Sequence, residues 1–235
     1  RRAAEIHRQR THTALNALRY ISSLVYHDQP TKHIYVEGRD PRRVSYTIIV
    51  DEEGEIGRVG ASEFTPVPLR IDAEFMQFAN FYGFEHILSL IDSLSPTEIE
   101  ESFLTAIQWY GEATQELIPL ISFVKYYVSI EAALKKENER AKTVLPRRIS
   151  VLLAPWAKDR QRELEEDLGD MIDERNAVLH SGKPRHSNPE YLAWSGQIIA
   201  RQVLHQLRFK IKDKSFQAKD DLIHWVDDQY SKYLI

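Results

Sequence analysis

The sequence contains no cysteine, no long apolar run and no excess of basic charge. The missing cysteines exclude disulfides, thiolate zinc sites and cysteine nucleophiles, and they suit a reducing compartment. No segment approaches the roughly 20 apolar residues that a membrane-spanning helix needs, and no secretory leader is recognisable at the start of the chain. We therefore expect a soluble, cytoplasmic protein that does not bind membranes. The missing initiator methionine leaves room for a longer parent chain.

The charge balance narrows the possible functions further. Lysine and arginine number 31 against 35 acidic residues, so the formal net charge is −4. A field that captures nucleic acid over the whole surface is excluded, and any such binding must depend on a local basic patch. The histidines and carboxylates follow no metal-ligand spacing, and no glycine-rich phosphate loop is found, so we predict neither a metal nor a cofactor.

The periodicity of apolar residues predicts a mostly α protein. Residues 3–26 and most of the chain from residue 72 onward have helical spacing. Residues 33–36, 44–50 and 55–59 are rich in β-branched and aromatic side chains and predict strands, the last two as a hairpin. The predicted organisation is a small α/β region of unknown role at residues 1–94, followed by a helical bundle with a C-terminal helical tail at residues 95–235.

Several residues predict where the helices of the bundle begin and end. Ser95, Pro96 and Glu98 resemble a capping box with proline at the first helical position. We expect Pro119 to break or kink the helix that this capping box opens. Pro146 should begin a short apolar segment. Gly182 should end a helix over residues 162–181. The inward face of that helix is predicted to carry Leu164, Leu168, Ile172 and Leu179.

The last turns of that helix carry Arg175, Asn176 and His180 close together. An arginine followed by a histidine at such a distance is common by chance, and basic residues are favoured at helix ends, so a surface cap is the alternative explanation. Asn176 and His180 share a helix face, whereas Arg175 and His180 point about 140° apart. Two such helices that meet across a twofold axis could place both arginines and both histidines around one cleft.

These residue types suit the cleavage of RNA without a metal. The 2′-hydroxyl of RNA is itself the nucleophile, so the protein needs to move protons and stabilise charge. His180 can accept or donate a proton in the useful pH range, and Arg175 can bind the nonbridging phosphate oxygens. Asn176 can orient the histidine or the phosphate.

Arg175-Asn176 with His180 resembles the motif of the HEPN family, the helical domains of many prokaryotic RNA-cleaving toxins and antiphage effectors. The apolar residues 123–134 around Glu131, and residues 103–110 and 145–153, are similar to helices of its Apea-like branch. His180-Ser181-Gly182 resembles the histidine-to-glycine helix end of that branch. The resemblance covers residues 95–208. It implies a metal-independent endoribonuclease that acts as a homodimer on RNA, with Arg175, Asn176 and His180 in the cleft and a regulatory or antitoxin partner.

The remaining candidates have supporting roles. Glu131 lies in an apolar stripe, where an unpaired carboxylate is unfavourable, so we expect it to pair with an arginine. Lys183, Arg185 and Arg148 could contact RNA phosphates, although a solvated surface explains them equally well. Two other functions remain open: an RNA- or nucleotide-binding module that does not cleave, and a scaffold whose bundle serves dimerisation. The Arg-Asn-His triplet favours the nuclease over the binding module, because a module that only binds has no need of a proton-transfer group there.

Overall fold

The computed structural model describes residues 2–26, 45–50, 56–62, 71–214 and 216–233. Within these ranges the chain forms nine helices and two strands. In chain order they are α1 (Arg2–Val25), β1 (Ser45–Val50), β2 (Ile56–Ser62), α2 (Ala73–Phe81), α3 (Phe84–Asp92), α4 (Glu98–Ala113), α5 (Pro119–Leu134), α6 (Ala141–Leu153), α7 (Lys158–Ser181), α8 (Pro189–Lys214) and α9 (Lys219–Tyr233). The strand predicted at residues 33–36 lies outside the described residues.

The helices pack as a bundle, which confirms the mostly α prediction. Helix α5 lies between α4 and α8, α1 lies against α4 and α3, and α6 lies against α7 and α9. Apolar side chains at three- and four-residue spacing meet in one core, which includes Phe103, Ile107, Phe123, Ile130 and Val203. None of the helices in the described ranges is long and apolar enough to cross a membrane.

Helix α1 belongs to this same core. Ala17, Tyr20 and Ile21 are fully buried, and the Tyr110 hydroxyl donates to Ser23 Oγ at 2.7 Å. The core therefore continues across residue 94, where the sequence placed a division. The division into residues 1–94 and residues 95–235 therefore stays a prediction.

The two strands pair antiparallel. Ser45 lies opposite Ser62 and Ile48 opposite Val59, and the register is irregular between Ile49 and Val50. The structure describes the backbone of this pair between the first two helices of the chain.

Two predicted helix boundaries are wrong. The capping box of α4 uses Thr97 and Glu100: Glu100 N donates to Thr97 Oγ1 at 3.4 Å, and Thr97 N donates to the Glu100 carboxylate at 2.8 Å. The helix thus starts two residues later than Ser95 suggested. Pro119 does not break a helix but begins α5 at its first position, where the missing N–H would have no partner.

Two further expectations fail nearer the site. Pro146 does not begin a segment. It lies inside α6, where it is buried and lacks the N–H that a helical hydrogen bond would use. Leu179 is 51% exposed, because the end of α7 runs past the helices that cover Leu168 and Ile172. Gly182 ends α7 in a left-handed conformation, with φ of +71°, as predicted.

Candidate functional site

Arg175 lies on the face of α7 that packs against α5. Its Nη2 donates to Glu131 Oε1 at 2.8 Å, and its Nη1 donates to Asn176 Oδ1 at 3.1 Å. The Arg175 and Glu131 side chains are only 16% and 17% exposed, so water screens this ion pair weakly. The expectation that Glu131 pairs with an arginine is confirmed, and the partner is the arginine of the motif.

The guanidinium of Arg175 retains donors that could bind a ligand. A guanidinium has five N–H groups, and Glu131 and Asn176 each accept from one of them. The buried Nε has no partner among the described residues. One N–H group on each terminal nitrogen remains without an acceptor among the described residues, and a phosphate is an acceptor that guanidinium groups bind strongly.

Tyr127 is a member of this cluster that the sequence reasoning missed. It lies four residues before Glu131 on the same face of α5, and its hydroxyl is buried without a partner among the described residues. Burial raises the pKa of Tyr127, while the charge of Arg175 acts in the opposite direction. The four-residue spacing from Glu131 was the available signal, but an apolar helix carries many aromatic residues for packing alone.

His180 lies in the last turn of α7 and is exposed. No hydrogen bond or ion pair of its side chain is found within the described part of the chain. Arg175 faces α5 and is partly buried, so the two residues lie on different faces, as their spacing requires. Within one chain the structure therefore brings together Arg175, Asn176 and Glu131 but leaves His180 apart.

The loop after α7 is held by a buried carboxylate. Glu174 is 6% exposed and accepts hydrogen bonds from the backbone N–H groups of Arg185 and His186, at 2.6 and 2.9 Å. The side chains of Lys183 and Arg185 remain exposed, and Arg185 lies 3.8 Å from Asp173. Arg185 thus makes a long ion pair with Asp173, whereas the Lys183 side chain has no partner among the described residues and could meet a phosphate.

Arg148 is not a surface contact, and the prediction that it binds RNA is wrong. It is 2% exposed, and all five of its N–H groups are used. They donate to the Leu134 carbonyl and to both oxygens of Glu139 and Asp227, at 2.6 to 3.0 Å. The sequence alone could not show that α9 returns to place Asp227 here.

A groove of about 610 Å³ lies between α7 and the start of α8. Leu164, Leu168, Met171 and Ile199 contribute apolar surface, and the carboxylates of Asp167, Asp170, Asp173 and Glu174 outnumber the lining cation Arg185, so the wall is acidic on balance. Polyanions such as RNA are repelled by such a wall. The groove therefore lies beside the motif but does not suit the predicted substrate.

No family model matches the chain, and neither the curated proteins nor the solved structures include a significant match to it.

Proposed function

We propose that the protein is a metal-independent endoribonuclease whose site includes Arg175, Asn176 and His180. The observation that carries the proposal is the arrangement of Arg175: Glu131 fixes its guanidinium, while two N–H groups remain for a phosphate. An exposed histidine five residues later supplies a proton-transfer group. The resemblance of these residues to the HEPN motif supports this proposal.

The chemistry follows from the roles of these groups. The 2′-hydroxyl attacks the adjacent phosphorus, and the bond to the 5′-oxygen of the next nucleotide breaks. Arg175 stabilises the charge on the nonbridging oxygens, and His180 transfers a proton to the leaving oxygen or from the 2′-hydroxyl. The products are a 2′,3′-cyclic phosphate and a 5′-hydroxyl. Glu131 acts as a positioning residue because it reaches the substrate only through Arg175.

A homodimer completes the proposed site. Since Arg175 and His180 lie on different faces of one helix, a twofold pairing of α7 would combine the arginine of one chain with the histidine of the other. We further propose a cytoplasmic toxin or antiphage effector that is held in check by a regulatory or antitoxin partner.

One observation favours the alternative, an RNA- or nucleotide-binding module that does not cleave. The Arg175–Glu131 ion pair joins α7 to α5, and such a pair stabilises a bundle whether or not chemistry occurs beside it. The two functions differ in their need for His180, because only a nuclease uses a proton-transfer group. The His180 side chain makes no hydrogen bond or ion pair among the described residues.

The decisive experiment incubates the protein with end-labelled RNA in EDTA. We expect fragments that end in a 2′,3′-cyclic phosphate, and we expect His180→Ala to reduce cleavage by at least about 100-fold. His224→Ala is the matched control, because it removes an exposed histidine from α9. Intact RNA with the native protein, or full activity of His180→Ala, would overturn the assignment. Activity per chain that stays constant after dilution to a monomer, checked by sedimentation, would overturn the shared cleft.

A further inference from the structure

A continuous series of rings and one guanidinium connects α2 to the C-terminal half of α8. The ring of Phe81 lies 5.3 Å from Tyr82, Tyr82 lies 5.7 Å from His205, and His205 lies 4.9 Å from Phe209. The guanidinium of Arg208 lies over the Phe209 ring at 4.1 Å. We call these five residues the aromatic strip. Phe81 is 73% exposed and Phe209 39% exposed, so the strip reaches the surface.

Arg208 is the unusual member of the strip. It is 6% exposed, yet neither its Nε nor its Nη2 has a hydrogen-bond partner among the described residues. No ion pair to Arg208 is found in the same ranges. A buried guanidinium without an acceptor is unfavourable, and burial lowers its pKa. Because both nitrogens are buried, an anion would supply the missing acceptors only after a neighbouring side chain such as Phe209 moves aside.

The polar groups around Arg208 include the buried hydroxyl of Tyr20 and two histidines, and no carboxylate among the described residues pairs with it. His86 and His205 each have a buried Nδ1 without a partner in the described part of the chain. Burial lowers the pKa of both histidines, the charge of Arg208 lowers each further, and the charge of Lys212 adds to this effect on His86. The charge of Glu100 raises the pKa of His86, but the Glu100 carboxylate already accepts the Thr97 N–H in the capping box of α4.

The Arg208 guanidinium packs against a glycine in the turn between α2 and α3. Gly83 joins α2 to α3 with φ of +86°, which side chains other than glycine rarely adopt. A Cβ atom at this position would collide with the Arg208 guanidinium. The guanidinium is thus packed directly on the turn that presents Phe81 and Tyr82.

We propose that the aromatic strip binds single-stranded RNA, with bases stacked on the exposed rings and phosphates paired with Arg208 and with Lys212, which lies one turn further along α8. Exposed aromatic faces next to cations are what unpaired bases and their phosphates bind, whereas a duplex hides its bases. The choice of RNA as the ligand rests on the proposed function, since the strip would hold the substrate away from the α7 site.

Binding is measured with a fluorescent, uniformly 2′-O-methylated RNA oligonucleotide of mixed sequence, which cannot supply the nucleophile. We expect saturable binding by the native protein. Phe81→Ala should raise Kd about five- to tenfold, because one stacked base loses its ring. Lys212→Ala should lower the slope of log Kd against log salt by about 0.7, because one phosphate contact is lost. Both side chains are exposed, so neither change should disturb folding.

Trp194→Ala is the matched control, because Trp194 is 58% exposed and lines the acidic groove. It should bind as the native protein does. The proposal is overturned if native binding is absent, if Phe81→Ala binds normally, or if Trp194→Ala weakens binding equally. It is also overturned if a duplex competes as well as a single strand.

The two proposals can fail separately. Binding that depends on Phe81, in a protein that never cleaves unmodified RNA, would retain the strip and reject the nuclease. Cleavage that depends on His180 and is indifferent to Phe81→Ala would retain the nuclease and reject the strip.

Discussion

Arg148 and Arg208 are both nearly inaccessible to solvent, at 2% and 6% exposure, but their surroundings are opposite. Arg148 gives all five N–H groups to one carbonyl and two carboxylates. Arg208 has an aromatic ring, a glycine turn and two histidines around it, and two of its buried nitrogens have no acceptor among the described residues. A satisfied buried charge is explained by the fold alone, whereas an unsatisfied one calls for a further explanation, and a bound ligand is the one we propose for Arg208.

The largest effect should come from removing the satisfied arginine. We expect Arg148→Met to lower the free energy of unfolding by about 3 kcal/mol, because it strands Glu139 and Asp227 without their partner. Urea denaturation measures the change. The control is Arg147→Met, since Arg147 makes one partly exposed ion pair with Asp227 at 3.1 Å and should cost less than about 1 kcal/mol. Equal losses in the two variants would contradict the central role of Arg148.

Acid should weaken the same network. The hydrogen bonds from Arg148 lower the pKa of Glu139 from 4.5 to about 2. Burial alone would raise the pKa of Asp227, but the hydrogen bond and charge of Arg148 outweigh it and lower that pKa as well.

Because these pKa values are depressed by folding, their stabilisation is complete above the unfolded values and is lost as pH falls from about 4.5 toward 2. Urea denaturation of the native protein and Arg148→Met should therefore give a difference that narrows between pH 6 and about pH 3. A constant difference over this range would mean that the carboxylates do not depend on Arg148.

The smallest effect on stability should come from Arg208→Met. Arg208 has no carboxylate to strand in the described part of the chain, and methionine fills similar volume. We expect the free energy of unfolding to stay within about 0.5 kcal/mol of the native value, or to rise. A loss as large as that of Arg148→Met would show that Arg208 has a structural partner, and it would remove the main reason to place an anion there.

These arginines also show which parts of the structure the sequence could predict and which it could not. Helical periodicity predicted the bundle, and the cost of an unpaired carboxylate predicted that Glu131 would meet an arginine. The same reasoning gave no way to separate Arg148 from a surface cation, because its partner Asp227 is 79 residues away on α9. Arg208 and the aromatic strip went unnoticed for the same reason, since their contacts join α2, α3 and α8.

Local competition explains the errors at helix ends. Ser95 and Thr97 can both cap, and both have a glutamate three residues later, so the sequence offers two capping boxes. The structure uses the second box, in which Thr97 Oγ1 accepts from Glu100 N and Thr97 N donates to the Glu100 carboxylate. Leu179 has helical spacing with Ile172, but that spacing cannot reveal where the neighbouring helices stop.

The burial of α1 has a consequence for how the chain folds. Its apolar face, with Ala17, Tyr20 and Ile21, is completed by α4, which follows about 70 residues later in the sequence. During synthesis this face must wait for its partner, which is the situation in which nascent chains aggregate or recruit chaperones. Shortening the chain to residues 95–235 would leave the opposite problem, a helix α4 whose matching surface never arrives.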